Sequence, residues 1–308
     1  MDKVSIVVPC FNEEEALHPY YEAMSEIRKT LPFEIEFWMV NDGSRDNTLE
    51  VIKELHAADP SVHYISFSRN FGKESAMYAG LKAATGDYVV VMDADLQDPP
   101  EFLDKMYSEI QEKGLDCVGT RRVDREGEPK VISFFSNLFY KVINRMIDFE
   151  IVPGARDFRM MNRKMVNAVI AMPEYSRFSK GIFSWVGFKT EFLEYPNIPR
   201  VAGETSWNFW KLFKYAMDGI ADFSQLPLAI AAWIGSFSSL AALIGFIGII
   251  IRHMVTPAAA VDGWSSMVCV VLLMGGLQML TIGIIGRYIG KIYLQVKNRP
   301  IYIISEKE

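Results

Sequence analysis

Along the first 120 residues, short β-branched and apolar runs alternate with stretches whose apolar positions recur at helical spacing. Residues 4–8, 36–41, 63–68, 88–93 and 116–119 read as strands, and 13–30, 48–57 and 75–84 between them read as amphipathic helices. Strands separated by helices of this length predict βαβ units around a parallel sheet. Residues 89–92 are apolar on both faces, as suits a central strand covered on both sides.

The pattern changes towards the other end. Residues 223–251 and 263–286 contain no charged side chain. Each stretch exceeds the roughly 20 residues that cross a bilayer's hydrocarbon core. A buried core helix is the plainer reading of either run; two in succession favour a transmembrane hairpin. Gly235, Gly245 and Gly248, then Gly275, Gly276, Gly283 and Gly286, suit close helix packing in lipid. The intervening loop holds Arg252, whereas Lys211, Lys214, Lys291, Lys297 and Arg299 flank the pair. Positive residues collect on the cytoplasmic side, so both termini and the large domain are expected there. The first apolar run, 4–8, is too short for a signal core and ends at Pro9.

Two further segments have interfacial character. In 130–147, Val131, Phe134, Phe135, Leu138, Val142, Ile143 and Met146 recur at helical spacing, with Lys141 and Arg145 on the polar side. In 207–215, Trp207, Phe209, Trp210, Phe213 and Tyr215 accompany Lys211 and Lys214. Soluble helices packed on the sheet would show the same periodicity; the neighbouring spans favour helices lying in the lipid interface. The expected organisation is therefore a cytoplasmic domain over 1–224, with interfacial helices near 130–147 and 206–223. Two transmembrane helices follow within 225–290, at 225–251 and 264–286, and then a cytoplasmic tail over 291–308.

Charge and composition narrow the chemistry. A net charge of -6 argues against a nucleic-acid binder. Cys10, Cys117 and Cys269 are odd in number and far apart, so they imply neither a disulfide framework nor a zinc site. His18, His56, His63 and His253 show no metal-binding spacing. The strongest chemical signal is MDADLQD at 92–98, where the most apolar strand ends. Ligands bind at the carboxyl ends of strands in open α/β sheets, and Asp93 and Asp95 can converge there on a hard cation such as Mg2+ or Mn2+. NDGS at 41–44 and VPCFNEE at 8–14 also follow strands. Each alone reads as an ordinary turn or helix start; three acidic loops on one sheet edge read as a site.

The ordered set VPCFNEEE, NDGS, SRNFGKE and MDADLQDPPE resembles the inverting family-2 glycosyltransferases, in particular their polyprenyl-phosphate branch, which includes dolichol-phosphate mannose synthases and bacterial bactoprenol glucosyl transferases. GTRR at 119–122, RDFRMMNR at 156–163, RFSKGIFSWVGF at 177–188, RVAGE at 200–204, GRYIGKIY and KNRPIY extend the likeness over nearly the whole chain. The resemblance implies a single Rossmann-like nucleotide-sugar-binding domain of the glycosyltransferase A type. The implied reaction moves a sugar, with UDP-glucose or UDP-N-acetylglucosamine as leading donors, onto undecaprenyl or another polyprenyl phosphate with inversion, for cell-envelope glycosylation. Pro9, Phe11, Glu13, Val40 and Asp42 would hold the nucleoside. Asp93, Ala94 and Asp95 would contact the donor, Asp95 binding Mg2+ or Mn2+ most directly with Asp93 beside it, and Gln97 would lie near the sugar. Arg200 would neutralise donor phosphate and Arg122 the acceptor phosphate. Asp157 matches a carboxylate near the reacting centre.

The sequence departs from the pattern where mannose synthases carry Lys six residues after the Arg200 equivalent; here Ser206 stands, with Lys211 nearby. Asn41 also replaces a common Asp. Implied partners are the nucleotide sugar, the polyprenyl phosphate and the inner membrane. A homo-oligomer, a downstream flippase and a lipid-sugar-dependent transferase fit the same picture. Two other functions remain open on the residues: transfer to a saccharide or protein hydroxyl, which would require Asp157 as a firm base, and a non-catalytic, membrane-tethered nucleotide-sugar sensor, which would have little need of intact Asp93, Asp95 and Gln97.

Overall fold

In the computed structural model, residues 1–122, 140–195, 219–255 and 264–308 are described. Four strands form the centre of the sheet: β1 (Lys3–Cys10), β2 (Glu34–Asn41), β3 (Val62–Phe67) and β4 (Tyr88–Val91). They are parallel in the order β4-β1-β2-β3. The crossovers carry α1 (Glu14–Arg28), α2 (Thr48–Ala58) and α3 (Lys73–Ala83). Ile6, Val8, Phe37, Met39, Val90 and Met92 are wholly buried, and Leu17, Tyr20 and Met24 of α1 and Ile52 of α2 join them in one apolar cluster. Gly80 lets α3 lie close to β1, since a Cβ there would stand 2.2 Å from Cγ1 of Val7.

The rest of the sheet departs from the parallel pattern read in the sequence. After α4 (Phe102–Lys113) come β5 (Cys117–Arg122) and β6 (Ala155–Asn162), then α5 (Arg163–Ile170), α6 (Ser179–Trp185) and β7 (Thr190–Tyr195). The full order is β7-β5-β6-β4-β1-β2-β3 followed by a last strand at Ile304–Lys307, with β6 antiparallel to both β4 and β5. Charge interrupts the apolar pattern of β6, where Arg156, Asp157 and Arg159 sit among buried Phe158, Met160 and Met161. β8 (Ile304–Lys307) lies near the end of the chain, exposed at every residue, and pairs antiparallel with β3. Its pairing rests on main-chain hydrogen bonds, which leave no hydrophobic period to read.

Residues 1–219 and 299–308 form one compact unit and 220–298 a second. The second unit contains α7 (Leu226–Val255) and α8 (Trp264–Val296). Both helices are long and apolar enough to cross a membrane, over Leu226–Ile249 and Val270–Val296. Among the described residues their apolar side chains lie exposed: Trp233 is 75% exposed, Phe237 73% and Leu272 70%. So large an exposed apolar surface marks contact with a membrane or with a protein partner. The second candidate span lies nearer the carboxyl end than the charge-free run at 264–286, because the helix continues past Arg287 and Lys291, and Lys291 pairs with Asp222 within this unit. Residues 140–146 are helical. The rest of the expected interfacial segment at 130–147 lies outside the described residues, as do 207–215, Arg200, Ser206 and the loop at 257–260.

Candidate active site

The parallel strands deliver three of the expected loops to one sheet edge. β1 and β2 run in register from Lys3 beside Glu34 to Cys10 beside Asn41, which sets Pro9 against buried Val40. Beyond them the chain bends sharply: Asn12 has φ 55°, its main-chain N–H donates to Oγ of Ser44 at 3.0 Å, and its Oδ1 accepts from the N–H of Arg45 at 2.9 Å. Phe11 is left 43% exposed at the rim, and the N–H of Glu13 donates to Oγ1 of Thr48. A flat apolar ring at a strand end suits stacking against a nucleobase.

Asp42 is 2% exposed and already engaged. Its carboxylate accepts from the N–H of Phe71 at 2.6 Å, the N–H of Gly72 at 2.9 Å and Nδ2 of Asn70 at 3.0 Å. Burial raises its pKa, against the opposing pull of those N–H groups. Asp42 thus ties the β3–α3 loop to the end of β2. Gly43 follows with φ +62°, where a Cβ would stand 2.3 Å from the Arg69 carbonyl carbon; only glycine lets the two loops meet so closely.

At the end of β4, Ala94, Gln97 and Asp98 are buried while Asp93 and Asp95 are partly open. The loop turns through Leu96 at φ 54°, and the N–H of Gln97 donates to Oδ1 of Asp95 at 3.2 Å. Asp98 accepts from the Tyr195 hydroxyl at 2.8 Å and lies 3.5 Å from Nε of Arg156. Burial raises its pKa despite that cation.

β6 then brings Asp157 to the same place. The β4–β6 register pairs Tyr88 with Asn162 and Val91 with Arg159, and continued by two residues it sets Asp93 opposite Asp157. Lys73, in the first turn of α3, bridges the two carboxylates. Its Nζ lies 2.7 Å from Oδ1 of Asp93, 2.8 Å from Oδ2 of Asp93 and 3.0 Å from Oδ2 of Asp157. Burial alone would raise the pKa of Asp157, but Lys73, Lys180 and Arg159 outweigh it and hold the carboxyl well below the usual range. Burial would likewise lower the pKa of Lys73, and Asp93 and Asp157 reverse that. The adjacent Glu74 accepts from the N–H and hydroxyl of Ser179 at the start of α6. Burial, reinforced by Asp157, pushes its pKa up to about 7. Arg159 is buried with its guanidinium 4.0 Å from the Phe183 ring.

Asp93 and Asp157 therefore meet Lys73 at one edge, with Asp95 two residues beyond Asp93 on the same loop and Asp42 and Phe11 on the β1–β2 side. Arg122 ends β5 opposite Tyr195, but its side chain lies outside the described residues. Lys73, Glu74, Asp98 and Arg156 carry no role in the sequence pattern. One signal pointed to Lys73: a cation in a helix's first turn opposes the helix dipole unless carboxylates face it. Among the described residues no group of three or more His, Cys, Asp or Glu side chains could hold a metal ion. Two carboxylates do fit Mg2+ or Mn2+, which keeps waters and completes its shell with substrate phosphate oxygens.

The glycosyl transferase family 2 model matches residues 5–170. The chain is 41% identical over 304 residues to the SfII prophage-derived bactoprenol glucosyl transferase of Shigella flexneri, covering 99% of this chain and 98% of that one. It is 41% identical to the prophage bactoprenol glucosyl transferase homolog of Escherichia coli K12, covering 98% of each. It is also 41% identical to an uncharacterized glycosyltransferase of Synechocystis, covering 99% of this chain and 95% of that one. With its Rossmann-like sheet of the glycosyltransferase A type, this chain belongs to glycosyl transferase family 2 and is a glycosyltransferase.

Proposed function

We propose that the protein transfers glucose from a uridine diphosphate donor to a polyprenyl phosphate, inverting the anomeric centre, at the cytoplasmic face of a membrane. The observation that carries this reading is the ion pair of Asp157 with Lys73 at 3.0 Å. A carboxylate so stabilised is a weak proton acceptor, which serves poorly to activate a hydroxyl. A phosphate acceptor is already an anion and needs no strong base. Relatives 41% identical along nearly their whole length are named bactoprenol glucosyl transferases, which supports the same acceptor and sugar. Two long apolar helices with uncovered side chains support a membrane setting, which a lipid acceptor requires.

On this reading the residues take the roles that the family resemblance implies. Pro9, Phe11, Glu13, Val40 and Asp42 hold the nucleoside, with Phe11 as its exposed face and Asp42 fixing the loop beside it. Asp93 and Asp95 would hold Mg2+ or Mn2+, which would supply positive charge to offset that of the leaving group. Ala94 would contact the donor, Gln97 would lie near the sugar, Asp157 would stand near the reacting centre, and Arg200 and Arg122 would neutralise donor and acceptor phosphates. Holding both substrates in line supplies much of the rate. The product lipid would then be moved to the other leaflet by a flippase and consumed by a lipid-sugar-dependent transferase.

The test incubates the full-length protein in membranes with radiolabelled UDP-glucose, UDP-N-acetylglucosamine or GDP-mannose and undecaprenyl phosphate, followed by extraction of the lipid phase. Label in lipid from UDP-glucose, lost in excess chelator and restored by Mg2+ or Mn2+, is the expected result. Label passing only to a hydroxyl acceptor would refute the lipid-phosphate assignment. Full transfer in chelator would refute the cation.

A further inference from the structure

We propose that Lys73 is a resident counter-cation that, paired with Asp157, keeps Asp93 from gathering a free divalent ion, so that the ion enters together with the donor diphosphate. This rests on the divalent-cation reading above and concerns how that site is loaded.

The geometry carries the inference. The Lys73 ammonium touches both oxygens of Asp93 and one of Asp157, and so compensates the two carboxylates that the β4–β6 register brings face to face. A divalent ion approaching Asp93 alone would share that carboxylate with the ammonium, and like charges at such separation repel. An ion carried by a diphosphate brings its own negative charge, to which an ammonium at this position is attracted. Lys73 is also held where it is. Gly72 donates to Asp42 on one side, and Glu74 grips Ser179 on the other, so the start of α3 is anchored at both flanks. The side chain is 43% exposed, with Asp93 and Asp157 at 25% and 22%. Lys73 is thus partly open to solvent beside both carboxylates. Its position in the first turn of α3, against the helix dipole, is explained by the carboxylates it serves.

The test measures Mn2+ binding to the detergent-solubilised, nucleotide-free full chain, from the loss of the free-ion electron paramagnetic resonance signal. The wild type should bind weakly. Lys73→Met should bind at least about tenfold more tightly, the size expected from removing a charge-assisted contact. Lys73→Arg, which keeps the cation, should stay near wild type. Adding Asp93→Asn to Lys73→Met should abolish the gain. Thermal unfolding reports whether each variant folds, and Lys73→Gln replaces the methionine variant if that one does not. A methionine or glutamine variant no tighter than wild type, or an arginine variant as tight as either, would overturn the inference. If chelator abolishes lipid transfer while the Lys73 variants bind Mn2+ like wild type, Lys73 loses this role and the cation reading stands. If transfer survives chelator, both fall.

Discussion

Asp42→Asn perturbs the site with the smallest change of shape. The carboxylate is buried and accepts three hydrogen bonds, from Phe71, Gly72 and Asn70. An amide keeps one acceptor oxygen and turns an NH2 towards donors that need an acceptor. Bonds to a charged group contribute about 1.5–3 kcal/mol each, and a buried donor left unpaired costs about 1–3 kcal/mol. Reorientation of Asn70 can recover part of this, so a net loss of about 2 kcal/mol is expected, lowering Tm by roughly 4–8 °C in a domain of this size. The loosened β3–α3 loop should raise the donor KM about tenfold, equivalent to ~1.4 kcal/mol, while kcat changes little. Asn70→Ala removes one of the bonds without touching Asp42, and should give a smaller shift in the same direction. Thermal unfolding of the solubilised protein and initial rates against donor concentration check both quantities. An Asp42→Asn protein with wild-type Tm and wild-type donor KM would refute the tethering role.

The remaining predictions address the cation, a buried ion pair and the membrane. Asp95→Asn keeps size but removes charge from the proposed metal site, so kcat should fall at least about a hundredfold with Tm unchanged; near-normal turnover would exclude Asp95 as a ligand. Burial disfavours ionised Glu36, but Lys3, Ser5 and Thr85 outweigh it and lower its pKa to about 2. A depressed folded-state pKa contributes stability above the ordinary value near ~4.3, lost as pH falls towards 2. Glu36→Gln should therefore be less stable at pH 7 and show a flatter loss of Tm with acid, and equal slopes in the two proteins would contradict this. Finally, a reporter inserted at 257–260 should be accessible from outside the cell and reporters at both termini from inside. Termini on opposite sides would mean that the spans are miscounted.

The sequence by itself determined the elements whose signals are local. Apolar runs marked β1 to β5, helical periodicity marked α1 to α3, and the absence of charge marked α7 and α8, because each depends on residues within a few positions of one another. The three acidic loops were legible for the same reason: in a βαβ succession every strand's carboxyl end reaches one edge, so chain order alone implies that Phe11, Asp42 and Asp93 are neighbours. Tertiary structure decided the rest. β6 carries Arg156, Asp157 and Arg159 through the sheet, and only its antiparallel pairing with β4 shows that Asp157 continues the register opposite Asp93. Lys73 and Asp157 are 84 positions apart (157 minus 73), and nothing in either local pattern specifies their 3.0 Å contact. Asp42 could be read as a ligand for a base, yet its three loop partners appear only once β2 and β3 lie side by side. β8 left no hydrophobic signature because its four residues are exposed and bind through the main chain, whose hydrogen-bonding groups are the same at almost every position.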